Sequence, residues 1–288
     1  MQTAIPQVQA FYESISGSYT YCVHDGRHAA VIDPVLDYDP KSGRTAHTSA
    51  QAVLTYLQHN NLQLDWILET HAHADHLSAA QFLRAASGAK VAISRRILGV
   101  QRTFRQLLNL QDFAADGADF DQLLDDDAEF AIGSLRAQVL SAPGHTQADS
   151  VFLIGDAAFI GDTLFMPDVG SARCDFPGGD ARRLYASVQQ IYALPPATRL
   201  FVCHDYPPAG RAPRCQTSIA EQRAHNIHLH AGVSEAEFVA MREQRDKNLA
   251  APVLLWPSVQ VNIRAGHLPA PEANGRAYLK IPLNLFHA

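Results

Sequence analysis

Cysteine is scarce in this chain. The 288 residues hold four, Cys22, Cys174, Cys203 and Cys215, widely spaced and with no CxxC pair. That excludes CxxC redox or zinc chemistry and favours reduced thiols in a cytoplasm. Cys22 and Cys203 read as small, buried apolar residues. Charge is also modest. Charged residues make up 18%, the formal net charge is −6 and the pI is near 6.1. Nothing in this balance suits a binder of nucleic-acid phosphates. No apolar run is long enough to span a bilayer, so no membrane role is expected. The opening Met1-Gln-Thr-Ala-Ile-Pro lacks the basic start and apolar core of a secretory signal. Internal repeats and low-complexity segments are absent too. A hydrophobic content of 47% in a chain of this length supports a sizeable core. We read residues 1–288 as one domain, with 216–288 as a helical and extended C-terminal appendage.

Short strand-like runs alternate with amphipathic helices, which is an α/β pattern. Tyr19–Val23 and Ala29–Ile32 flank an Asp25-Gly26 turn. Thr48–Asn60 carries a helical stripe, Leu64–Glu69 is a strand, and Leu77–Ala86 reads as a helix closed by Gly88. Lys90–Ile93 is again strand-like. An acidic stretch, Gln111–Glu129, follows, in which Asp125-Asp126-Asp127 reads as a solvated turn. Two hairpins come next, Phe130–Ile132 with Arg136–Leu140 and Val151–Ile154 with Ala157–Ile160. Asp180–Ala193 is helical and Leu200–Cys203 is a strand. Gln216–His230 and Ser234–Asn248 read as consecutive helices, the second opened by a Ser234/Glu237 capping box. His225, His228 and His230 then fall on a partly exposed helix face. Val259–Ile263 and Tyr278–Ile281 read as an extended arm that packs back on the body.

Histidine is what the chain does have, 14 in all. Three of them crowd with one carboxylate into His71-Ala-His73-Ala-Asp75-His76, directly after the Leu64–Glu69 strand. Imidazole nitrogen and carboxylate oxygen suit zinc, iron and related divalent metals. A metal site draws ligands from several strand ends. Three more strands end on such a group: Pro143-Gly-His145-Thr, Gly161-Asp162-Thr and His204-Asp-Tyr206. These four places would converge on one edge of a sheet.

Together these motifs resemble the metallo-β-lactamase superfamily, in the same order, over roughly residues 10–210. The resemblance implies an α/β (α+β) fold, an αββα four-layer sandwich with an extended C-terminal arm. It also implies room for two metals. One would use His71, His73, His145 and Asp162. The other would use Asp75, His76, His204 and Asp162 as a bridge.

The segment Gly170-Ser-Ala-Arg173-Cys174-Asp175-Phe176-Pro-Gly-Gly179-Asp180 resembles the corresponding loop of the persulfide dioxygenases (sulfur dioxygenases). The tail, with Val259-Gln-Val-Asn262 and Arg264-Ala-Gly-His-Leu-Pro269, resembles a bacterial branch of that group. This implies oxidation of the outer sulfur of glutathione persulfide, or a related persulfide, to sulfite with O2. The cofactor would be one Fe(II) per chain on His71, His145 and Asp162, with zinc as a substitute. His73, Asp75, His76 and His204 would orient ligands and bound water, or hold a second metal. Arg173 would anchor a substrate carboxylate, Tyr206 would donate from its hydroxyl, and Arg211 and Arg214 would add charge. Asp175 would hold Arg173. Cys174 reads as packing or a redox-sensitive passenger. Family members often form homodimers, and the tail is the segment available for an interface. The alternative is a glyoxalase II-like thioester hydrolase with two zinc ions. A lactonase or β-lactamase ranks behind both.

Overall fold

The computed structural model describes residues 5–208 and 210–285. Residues 1–4, on which part of the reading of the N-terminal signal rests, lie outside them. In chain order the elements begin with β1 (Gln7–Glu13), β2 (Ser18–His24), β3 (His28–Ile32), β4 (Val35–Asp39) and β5 (Arg44–Ala46). Then come α1 (Thr48–His59), β6 (Gln63–Leu68), β7 (Leu77–Ser78), α2 (Ala80–Ser87), β8 (Lys90–Ser94), α3 (Ile97–Leu107) and β9 (Gln122–Leu124). The second half holds β10 (Glu129–Ile132), β11 (Leu135–Ser141), β12 (Ser150–Ile154), β13 (Ala157–Phe159), α4 (Ala181–Tyr192) and β14 (Arg199–Phe201). It closes with β15 (Gln216–Ser218), α5 (Ile219–His225), α6 (Glu235–Asp246) and α7 (Leu255–Asn262).

Two six-stranded sheets form the centre, ordered β1-β2-β3-β6-β8-β9 and β10-β11-β12-β13-β14-β15. The side-chain period of two explains how they stack. Along β3, Ala30 and Ile32 point between the sheets and meet Phe152, Phe159 and Phe201. Ala29 and Val31 point outward, into a core shared with α1, α2, α3 and α7. On the second sheet Val151, Ala158 and Leu200 point outward toward Leu184, Val188, Ile219 and Phe238 of α4–α6. Three apolar cores therefore separate four layers, and the αββα sandwich is borne out. No helix of the described residues is long and apolar enough to cross a membrane.

Several elements differ from the sequence reading. The segment after the histidine cluster is not helical from Leu77. Leu77 and Ser78 pair with Leu36 and Val35 first, and the helix starts at Ala80. Gln216–Ser218 is an edge strand beside β14, and only Ile219–His225 is helical. Asn226 ends that helix by accepting from the His228 and Leu229 N–H groups. His228 is therefore buried and not on an exposed helix face, while His225 and His230 are exposed. Val259–Asn262 is helical, not extended. Residues 258–262 of α7 are all buried, so no amphipathic stripe marked the helix. Pro257 stands in the first turn, where a missing N–H costs nothing. The arm beyond does pack back, since Gln260 and Lys280 exchange two hydrogen bonds through Gln260's amide and Lys280's backbone.

Candidate metal centre

The four strand-end motifs meet at one edge of the sandwich. Ligand atoms of His71, His145 and Asp162 lie within 4.8 Å of one another. Those of His73, Asp75, His76 and His204 form a second group on the same criterion. Asp162 stands between the two. Its Oδ2 is 3.5 Å from His145 Nε2 and 3.9 Å from His71 Nε2, and its Oδ1 is 3.3 Å from His204 Nε2.

The protein fixes which atom of each ring faces inward. His145 Nδ1 donates to the Arg173 carbonyl at 2.8 Å, so its Nε2 carries the lone pair. Thr70 Oγ1 donates its only hydrogen to Asp33 and can only accept from His71 Nδ1, leaving His71 Nε2 free. His73 turns the other way, with Nε2 3.1 Å from Asp33 Oδ1 and Nδ1 inward. Ser18 Oγ lies 3.3 Å from His76 Nδ1 and 3.2 Å from His204 Nδ1. What remains is a set of buried atoms with no hydrogen-bond partner, among them His71 Nε2, both ring nitrogens of His73, His76 Nε2, His204 Nε2 and Asp162 Oδ1. Orphaned lone pairs at this density would be costly unless a cation used them.

Electrostatics agree in part: burial raises the Asp162 pKa, and burial at His204 is outweighed by the Asp162 and Asp75 charges, which raise its pKa, so His71, His73 and Asp75 are the members that rest in their metal-binding forms. Burial, then neighbouring imidazoles, holds His71 and His73 neutral well below the ordinary histidine range. Burial would raise Asp75, but positive charge at His204 and His76, the place a metal cation would take, outweighs it and keeps the carboxylate ionised. Neutral imidazoles and ionised carboxylates are the forms that bind metal. This chain has a His/Asp metal-binding site.

The family model described as the metallo-beta-lactamase superfamily matches residues 15–204. This chain belongs to that superfamily. A "Beta-lactamase hydrolase-like protein" of Agrobacterium fabrum is 50% identical across 98% of the chain, which spans 66% of that relative's length. "Glyoxylase B2" of Dictyostelium discoideum is 48% identical over 94% of each. "Persulfide dioxygenase ETHE1, mitochondrial" of Bos taurus is 30% identical, covering 90% of the chain and 88% of the relative. Among solved structures, ETHE1 from Myxococcus xanthus superposes with a TM-score of 0.73 at 32% identity, over 91% of this chain and 100% of that one.

A cavity of about 380 Å³ opens beside the superfamily's metal edge, with His145, Asp162, Asp75, Arg173 and Tyr206 in its lining. Asp175 holds the Arg173 guanidinium at 2.6 and 2.7 Å, and the Ala250 carbonyl accepts from it as well. Tyr206 stacks on His204 at 5.6 Å between ring centres. Burial, then the Asp75 and Asp162 charges, raises its pKa, so its hydroxyl stays a donor. Arg211 and Arg214 stand elsewhere. Asp168 and Asp205 take both forks of Arg211, and the Arg214 guanidinium faces Asp168 at 3.7 Å, so Arg211's charge is answered within the protein. Neither lines the cavity. Cys174 is buried at the far side of this loop, and burial followed by Asp246 raises its thiol pKa, which makes it a poor nucleophile.

Sequence reasoning missed four residues here. Asp33 orients His73 and Thr70, and it obeys the same strand-end pattern, directly after β3. Arg245 lines the cavity, and its guanidinium has no hydrogen bond or ion pair among the described residues. Ser18 has no sequence signal. Asn262, at the end of α7, donates to the His73 and His76 carbonyls at 2.9 and 2.8 Å and accepts from Ser78 N–H. The metal loop is thus clamped from the C-terminal segment. Close packing explains one motif glycine: a Cβ at Gly144, at φ +156°, would stand 2.3 Å from Leu184 Cα.

Proposed function

We propose that this protein is a dioxygenase that oxidises the outer sulfur of glutathione persulfide, or a related low-molecular-weight persulfide, to sulfite with O2. One ferrous iron per chain would be held by His71, His145 and Asp162. Bound there, iron supplies electrons for oxygen and open positions for substrate. The observation that carries this reading is the compact group of two imidazoles and one carboxylate, two members of which line the cavity. The loop that resembles the persulfide dioxygenases also supplies the carbonyl that orients His145. Arg245, unpaired in the cavity wall, offers a cation to a carboxylate of a glutathione body, whereas Asp175 and the Ala250 carbonyl already engage the Arg173 guanidinium. Tyr206, half exposed in the cavity wall, offers a hydroxyl donor. The relatives named for persulfide dioxygenase and ETHE1 support the same reading. The four cysteines are unpaired, which suits a reducing cytoplasm. Iron analysis combined with oxygen uptake on glutathione persulfide tests the proposal. Iron-loaded protein that consumes no oxygen above background overturns it.

A second reading has its own observation. His73, Asp75, His76 and His204 also present converging ligand atoms, and Asp162 lies between the two groups. That arrangement suits a two-metal thioester hydrolase of the glyoxalase II kind. Two metals per chain with rapid hydrolysis of lactoylglutathione would favour it.

A further inference from the structure

Three of the four cysteines sit against apolar cores. Cys22 and Cys174 belong to two of these cores, and Cys215 packs on the third. Cys203 belongs to none of them, although only 1% of it is exposed. It follows β14 and directly precedes His204, and its neighbours are polar. Its Sγ lies within 4.8 Å of ligand atoms of Asp162 and His204, and on the same criterion of those of Asp33 and His73. The thiol makes a weak hydrogen bond to Asp33 Oδ2 at 3.7 Å. That carboxylate is already served, because the N–H and hydroxyl of Thr70 both donate to it. Asp162 Oδ1 and His204 Nε2 are buried, 3.3 Å apart, and have no hydrogen-bond partner. A sulfur beside an orphaned imidazole nitrogen and an orphaned carboxylate oxygen is a ligand set, not core packing.

We propose that Asp162 Oδ1, Cys203 Sγ and His204 Nε2 form a site for a thiophilic cation, with zinc as the type, beside the iron position. The iron group offers nitrogen and oxygen alone, from His71, His145 and Asp162 Oδ2. A sulfur ligand shifts preference toward zinc and Cu(I). The two positions therefore select different metals and meet at one carboxylate. On binding, a sulfur–metal bond forms and the thiol proton leaves to solvent, with nothing oxidised or reduced. A cation on Asp162 Oδ1 competes for the charge that the iron group takes from Oδ2, so a thiophilic metal inhibits the oxygen chemistry. One iron per chain remains the working form. The inhibition rests on the dioxygenase reading, whereas the site itself does not.

In the test, protein holding one iron per chain is given one equivalent of zinc, and X-ray absorption is recorded at the zinc edge. One sulfur neighbour at about 2.3 Å from zinc is expected. A shell of nitrogen and oxygen alone overturns the proposal, and this reading needs no variant to fold. Cys203→Ser is expected to lose the sulfur neighbour and to weaken zinc binding by at least about tenfold, the loss that even a supporting group causes. Cys215→Ser, which alters the least buried thiol, is expected to keep both. A sulfur neighbour that persists in C203S overturns the assignment. Zinc should lower oxygen uptake on glutathione persulfide in the parent and lower it less in C203S, and equal inhibition overturns the inhibitory role. The two failures are separable. A sulfur neighbour in protein that takes up no oxygen defeats the dioxygenase reading and leaves the site, whereas uptake without a sulfur neighbour defeats only the site.

Discussion

Each histidine of the candidate metal centre has a polar group behind it. His71 leans on Thr70, His73 on Asp33, His145 on a backbone carbonyl, and His76 and His204 on Ser18. These partners choose the inward nitrogen, so the ring identities alone do not specify the site. His145→Ala removes one member of the three-residue group and is expected to lower bound metal measurably by elemental analysis. Wild-type metal content in that variant would show that His145 is not a ligand. His228 makes a different prediction. Burial, then Arg242 and Arg245, pushes its pKa from 6.5 down to about 4. Between those values the unfolded chain takes up a proton that the folded one refuses, so stability present above pH 6.5 is lost as pH falls toward 4. The loss attributable to this residue is about 3 kcal/mol at most. His228→Asn keeps an acceptor for Ser171 N–H but cannot titrate. Its denaturant midpoint should fall less steeply than the parent's across that window, and identical slopes would refute the assignment.

At the scale of elements, the C-terminal helices hold the site from outside. In α6, Arg242 pairs with Asp246 at 2.6 Å and donates to the Ser171 carbonyl, while Asp246 accepts from Cys174 N–H. The loop that carries Arg173 is thereby fastened to the helix. Both partners are buried, so Arg242→Ala leaves an unanswered carboxylate and is expected to destabilise by about 3–5 kcal/mol in chemical denaturation. In α7, Asn262→Ala removes both donors to the metal loop and should cost about 1–3 kcal/mol. It should also weaken metal retention during dialysis, an effect a purely structural role far from the loop would not produce. The strand-end motifs were legible because a ligand directly after an apolar run is a local pattern. Asp33 followed the same rule and was passed over beside the denser histidine cluster. The α7 helix was not legible, because its β-branched, uniformly buried residues give no period of 3.6. The pairing of Arg211 was not legible, because the answering Asp168 lies 43 residues away in sequence.

For the whole molecule, the sandwich and the metal set are one cooperative object. The candidate ligand residues follow β6, β11, β13 and β14, so both sheets must be in register before the site exists. A metal that binds only this folded arrangement stabilises it, by about 2.7 kcal/mol at a hundredfold excess over Kd. Chelation is therefore expected to lower Tm in proportion to metal lost. An unchanged Tm after complete removal would mean the site is not coupled to the fold.

The amino-acid sequence by itself determined the inventory: seven ligand-type residues, each placed just after a strand, and an alternation of strands and helices that leads to layers. It did so because ligand placement and side-chain period are local properties. Only the tertiary structure decided how the seven divide into two groups around Asp162 and which nitrogen each imidazole turns inward. Those outcomes depend on hydrogen bonds and packing between segments as far apart as Ser18 and His204, or His73 and Asn262. No local pattern carries information across such separations.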